Sequence, residues 1–154
     1  MKLFHSIKTT VFSKSDENKN NIETGLKKLF PFDLNKEKIK IKEEKVKAFD
    51  DKIILILSII IKKQKLINEF LTFLFEKMNK MQKEQILEEL NTRIDDELYF
   101  YLRIDKTSWI DKRKIFITEK GNCYHLKFKI AAYPSKKETA IILLKDFIEN
   151  QLNQ

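Results

Sequence analysis

Tyr99, Tyr101 and Arg103 alternate with Phe100, Leu102 and Ile104, and further on His125, Lys127 and Lys129 alternate with Leu126, Phe128 and Ile130. Rows of this kind can bind a polyanion without covalent chemistry. Aromatic rings stack on any base at roughly 1 to 3 kcal/mol per base, while Lys and Arg neutralise phosphates. If the two segments are neighbouring strands, rings and cations share one surface. The same pattern has a plain structural reading, because Tyr is a favoured strand residue and alternating Lys keeps an exposed face soluble. Charge distribution favours the polyanion. From Leu98 to Lys137 there are ten basic and three acidic residues, a net +7, and the rest of the chain adds only +1 to a formal total of +8. A localised excess suits several phosphates of one strand better than a diffuse one does.

Arg103 and Asp105 point the same way on a strand that ends at Lys106. Either Arg103 and Lys106 grip phosphate while Asp105 orients the guanidinium, or Arg103 and Asp105 pair to fix the strand end. Lys112, Arg113 and Lys114 form a dense cation cluster expected at the rim of the same surface, with a solvated face as the bland alternative. Trp109 is either an exposed stacking residue or a lid on the core, and a sole Trp favours the core.

Catalysis has little support. Two glycines, where average usage of roughly 7% would give about 11, leave no phosphate-cradling loop: neither Gly25 nor Gly121 belongs to a G-x-G-x-x-G or P-loop pattern. One Cys and two His cannot build a zinc finger or a C-x-x-C site, and a lone Cys makes no intrachain disulfide. Asp95-Asp96-Glu97 are three consecutive acids, which regular backbone cannot aim at one ion. His125 lacks an orienting carboxylate and Cys123 an activating partner. The expectation is a protein without catalytic residues, cofactor or metal, suited to a reducing cytoplasm.

The elements that position these residues follow from periodicity. Leu3, Ile7 and Val11 mark a first strand with one buried face. Ser15-Asp16-Glu17 offers cap oxygens to a helix carrying Ile22, Leu26 and Leu29, which stops at Pro31. Lys36 to Ala48 alternates Lys with Ile, then shifts parity, as a lysine-rich edge strand with a bulge near Glu43 to Lys45 would. Asp50-Asp51 turns into Ile53 to Ile61, a run too short to span a bilayer and read as a central buried strand. Leu66, Ile67, Phe70, Leu71, Leu74 and Met78 line a helix, with Phe73 and Phe75 off the centre of its stripe. Asn79 and Gln82 resemble a capping box where the helical stretch breaks.

Leu98 to Asp105 is the clearest strand. Thr107 to Arg113 is irregular or a single turn, Lys114 to Thr118 a short strand, and Tyr124 to Ala132 the second arm of a hairpin turning at Gly121-Asn122. Ser135 to Glu138 would cap a last helix carrying Ile141, Leu144, Ile148 and Leu152. Residues 1–154 thus read as a single α+β domain, one mostly antiparallel sheet of about five to six strands with helices packed on one face. Met1 to Lys8 is too polar for a secretory signal, and no helix has the basic and aromatic faces of a membrane binder.

Tyr101-Leu102-Arg103-Ile104-Asp105-Lys106, the approach Thr92-Arg93-Ile94-Asp95, and Leu126-Lys127-Phe128-Lys129-Ile130-Ala131-Ala132-Tyr133-Pro134 resemble an archaeal RNA-binding family described as predicted exosome subunits. The likeness covers about Arg93 to Pro134. It implies an α+β fold compared with double-stranded-RNA-binding domains and with a ribosomal protein that binds the small rRNA of the large subunit. It also implies RNA binding in an RNA-processing setting, beside other subunits of such a complex, without catalysis. The family pattern follows Arg-x-Asp-Lys with small residues and a glycine, where this chain has Thr107-Ser108-Trp109-Ile110-Asp111-Lys112, so no contact is carried over to that loop.

Two functions of different kind therefore stand. One is a non-catalytic RNA-binding accessory domain using Tyr99, Tyr101, Arg103, Lys127 and Lys129, with Lys106 and Lys112 to Lys114 at the rim. The other is a protein-interaction or homodimerisation module whose Tyr99/Tyr101 face and Phe73/Phe75 shoulder meet another subunit.

Overall fold

A computed structural model describes residues 2–154. The elements are β1 (Phe4–Ser13), α1 (Lys19–Lys28), β2 (Lys42–Lys47), β3 (Ile53–Ile61), α2 (Gln64–Glu76), α3 (Lys80–Glu88), α4 (Leu90–Arg93), β4 (Tyr99–Asp105), α5 (Lys106–Lys112), β5 (Cys123–Ile130) and α6 (Lys137–Leu152). Five strands form an open antiparallel sheet in the order β2-β3-β1-β5-β4. The helices cover one face, which gives the α+β architecture expected from alternating strands and amphipathic helices.

Strand periodicity builds the core directly. In β4, Phe100, Leu102 and Ile104 are buried, and in β5 so are Tyr124, Leu126, Phe128 and Ile130, while their odd-numbered neighbours stay partly exposed. A bulge between Phe4 and Ser6 lets β1 bury both Phe4 and Ile7 despite their opposite parity. Phe4 can then pack on Phe128 and Phe100, with ring centroids 4.9 and 6.4 Å away. Such aromatic contacts add roughly 0.5 to 1.5 kcal/mol per pair beyond the buried area.

On the helical side, α2 buries Leu66, Ile67, Phe70, Leu71, Leu74 and Phe75. Phe75 meets Phe147 edge-on and the half-buried Phe73 meets Trp109, so the stripe is wide and no separate Phe73/Phe75 shoulder exists. Trp109 is buried, its Nε1 donating to the Gly25 carbonyl at 2.7 Å. Gly25 is required for that close approach: a Cβ there would overlap Tyr124 Oη, which donates to the Ile22 carbonyl. Gly25→Ala is therefore expected to destabilise by about 1 to 3 kcal/mol through overpacking. Urea unfolding of this variant alone and combined with Tyr124→Phe checks it, because removing the hydroxyl should recover part of the loss.

Several local expectations are corrected. α1 is capped by Asn18, which accepts from the Asn21 N–H, rather than by Ser15 to Glu17. The edge strand starts only at Lys42 and pairs with β3 in continuous register without a bulge, since residues 36–41 coil over the core through Ile39 and Ile41. β3 pairs on both sides, yet one of its faces stays open: Ile60 is exposed and Ile54 and Ile56 are half-buried. Lys114 to Thr118 contributes one bridge, Ile117 to Ile104, instead of a strand. Thr107 to Arg113 falls mostly within α5. α6 begins after Lys136 without a side-chain cap, whereas the Asn79/Gln82 capping box of α3 is formed in both directions. Among the described residues no helix is long and apolar enough to cross a membrane.

Candidate nucleic-acid interface

The face of the sheet away from the helices carries the odd residues of β4 and β5. Register pairs Tyr99 with Lys129, Tyr101 with Lys127 and Arg103 with His125, and continues to β1, where Lys8 lies opposite Lys127 and Thr10 opposite His125. Opposed residues of an antiparallel ladder project to the same side. Tyr99, Tyr101, Arg103, Lys127 and Lys129 thus share one surface, and Lys8 and His125 join it. The sequence held the alternation of Ser6, Lys8 and Thr10; only the placement of β1 beside β5 makes Lys8 part of the site.

The side chains are already organised. Lys127 Nζ lies 4.1 Å and Lys129 Nζ 4.6 Å from the Tyr99 ring centroid. Lys129 also donates to the Glu97 carbonyl. Tyr101 packs between Tyr99 and His125, at centroid distances of 6.4 and 5.4 Å. Its hydroxyl donates to Asp95 at 2.8 Å. Burial, helped by that carboxylate, pushes the Tyr101 pKa up to about 12.

Burial would raise the Asp95 pKa, but hydrogen bonds from the Tyr99 N–H, the Tyr101 hydroxyl and the Glu97 N–H, with Lys127 nearby, bring it below the usual carboxylate value. Asp95 therefore serves the turn before β4 and fixes the Tyr101 ring. His125 is held neutral more firmly than usual, by burial first and then by Arg103 and Lys127. Cys123 is half-buried, and burial raises its thiol pKa, so it carries little thiolate. Among the described residues no group of three or more His, Cys, Asp or Glu is placed to hold a metal ion.

The remaining cations lie elsewhere. Lys106 is 4% exposed. Its Nζ donates to the Phe12 carbonyl at 2.7 Å and meets both Glu17 carboxylate oxygens at 3.2 and 3.3 Å, which uses all three ammonium protons. The structure thus gives Lys106 an internal role instead of a place at the rim. Asp105 neither orients nor pairs with Arg103; it caps α5, accepting from the Ser108 N–H at 2.9 Å and hydroxyl at 2.8 Å. Lys112, Arg113 and Lys114 sit in the helical layer beside Lys77, Asn79 and Gln82, away from the open face. Arg113, in the left-handed region at φ 52°, closes α5 by donating to the Trp109 and Ile110 carbonyls.

A family model described as RNA binding matches residues 6–130. An RNA-binding protein of Pyrococcus abyssi (strain GE5 / Orsay) is 23% identical over 148 residues, covering 96% of this chain and 95% of that protein. The crystal structure of a DUF54 protein from Archaeoglobus fulgidus superposes with a TM-score of 0.81 at 25% identity, covering 96% of this chain and 99% of the other. A DUF54 protein from Methanothermobacter thermautotrophicus shares the fold at a TM-score of 0.76 and 21% identity, over 97% and 98% of the two chains.

Proposed function

The chain belongs to the RNA-binding family matched over residues 6–130, and on that premise we propose that it binds RNA on the open sheet face through Tyr99, Tyr101, Arg103, Lys127, Lys129 and Lys8. The observation that carries the reading is the junction of two tyrosine rings and four cations on one unobstructed surface. In the free protein the two lysines rest on the Tyr99 ring. A cation–π contact at an exposed site is worth about 0.5 to 1 kcal/mol, less than the roughly 1.5 to 3 of a hydrogen bond to a charged group. An arriving phosphate therefore draws Lys127, which among the described residues has no partner other than the ring, off Tyr99, and the freed ring face can take a base. An accessory place in RNA processing, beside exosome or related subunits, is the finer reading that the motif resemblance adds, as is action by binding alone.

Four cations neutralising four phosphates of a single strand give a slope of log K against log salt of roughly −2.8. Fluorescence anisotropy with single-stranded and structured RNA at stepped salt measures it, and weak binding with no salt dependence overturns the proposal. A protein-contact reading has its own observation: the β1–β3–β2 half of the same face exposes Phe12, Ile60 and Val46. Light scattering over a concentration series separates the two, since a stable dimer that hides the tyrosines removes the RNA platform.

A further inference from the structure

A cavity of about 280 Å³ opens at the free edge of β4, lined by Glu89, Thr92, Arg93, Tyr101, Arg103 and Glu119. It lies where edge cover is interrupted. On one side Ile94 bridges to Phe100; on the other Ile117 bridges to Ile104. The outward-facing groups of β4 belong to its odd residues, since the Tyr99 carbonyl takes the Asp95 N–H and the Arg103 carbonyl takes the Thr118 N–H. By the same alternation the Tyr101 and Arg103 N–H groups face the gap.

The floor is a buried guanidinium. Arg93 is 8% exposed, its Nη2 pairing with Glu89 Oε2 at 2.7 Å and its Nη1 donating to the Tyr101 carbonyl at 3.4 Å. Glu89 is committed to Gln85 and Arg93. Arg103 and Glu119 make no ion pair among the described residues, and the Thr118 bond to β4 keeps Glu119 beside Arg103. Two guanidinium groups against two carboxylates leave the cavity with no net charge, which disfavours a phosphate and suits a neutral, strongly polar ring.

We propose that this cavity holds one unpaired guanine base of the bound RNA, Glu119 accepting from its N1–H and N2–H₂ edge and Arg103 donating to O6 and N7. Guanine alone among the bases presents two adjacent donors to a carboxylate together with two adjacent acceptors to a guanidinium. The volume lies at the lower limit for ligand pockets, which fits a base better than a larger molecule. Tyr101 joins this cavity to the cationic face, so the base and the backbone of one strand can be held together. The inference rests on the RNA-binding reading and deepens it.

The test is anisotropy with short labelled oligouridylates carrying a single central G, A, C or U, with and without a 5′-phosphate. The single G should tighten binding about tenfold, and Glu119→Gln, whose amide opposes the base donors, should reduce that ratio below about twofold. Equal affinity for all four central bases overturns the guanine site while leaving RNA binding intact. A gain from the 5′-phosphate alone also overturns it, in favour of a phosphate site, as does a G preference undiminished in Glu119→Gln. Absence of binding to every oligonucleotide fails both readings together.

Discussion

Lys106→Met should lower folding stability by about 3 kcal/mol while leaving the RNA affinity of the folded protein within twofold of the parent. The methionine keeps the apolar stem and removes only the ammonium. What remains is a Phe12 carbonyl without its donor and a Glu17 carboxylate, 21% exposed, without its counter-charge. Breaking a buried pair by deleting one partner costs roughly 3 to 5 kcal/mol, and the residual exposure of Glu17 places this case at the low end.

The position in the sheet explains why a lysine stands there. The β1–β5 ladder closes at Thr10 and His125, so the Phe12 carbonyl lies past its last pair, and Lys106 supplies the donor that β5 no longer does. For a domain of this size about 3 kcal/mol corresponds to a melting-point drop of roughly 6 to 12 °C, measurable by circular dichroism. Combination with Glu17→Gln should cost less than the sum of the single changes, because the second removes the stranded charge. A variant of parental stability that loses RNA affinity tenfold would instead return Lys106 to the phosphate contacts.

Lys106 also shows how far the site was legible in the sequence. It continues the even parity of Phe100, Leu102 and Ile104, all of which face the core. Parity thus pointed inward, while residue type pointed to solvent, and the ending of the strand hid the conflict. The odd residues of β4 and β5 were legible because each strand alternates without a break and burial follows alternation. Neighbourhood was not legible: periodicity says which face a residue takes, never which strand lies beside it, and Lys8 joins the surface only through the β1–β5 register.

The +7 segment misled for the same reason. Its arginines and lysines divide between the open face, the interior at Lys106 and the helical layer at Lys112 to Lys114, because the chain crosses the sheet plane between β4 and β5. The edge cavity was beyond reach. It needs Arg93, Arg103 and Glu119 from three separate segments, and their convergence follows from the β4 edge bonds of Arg93 and Thr118.

The division of charge yields the sharpest functional expectation. Changing Arg103, Lys127 and Lys129 together to Gln should weaken RNA binding about 100-fold near 0.1 M salt and flatten the salt slope from roughly −2.8 to about −0.7. Each phosphate contact on a single strand contributes about 0.7 to the slope, hence about fivefold at that salt, and three are lost while Lys8 remains. The substitutions lie on an open face, and surface changes away from caps and cores usually stay within about 0.5 kcal/mol, so folding should survive. The Tyr99 ring loses both of its covering cations in this variant, and stacking alone should supply the residual, nearly salt-independent affinity.

Lys112→Gln combined with Lys114→Gln is the matched control. It removes two cations of the same sequence segment from the helical layer, leaving Arg113 to close α5, and its affinity should stay within twofold of the parent. Opposite results, with the triple variant binding normally and the control losing affinity and slope, would move the RNA to the helical side. Both variants remove cations, so the experiment turns on what the sheet offers beside its own, which is the Tyr99 and Tyr101 pair with Lys127 and Lys129 over the Tyr99 ring.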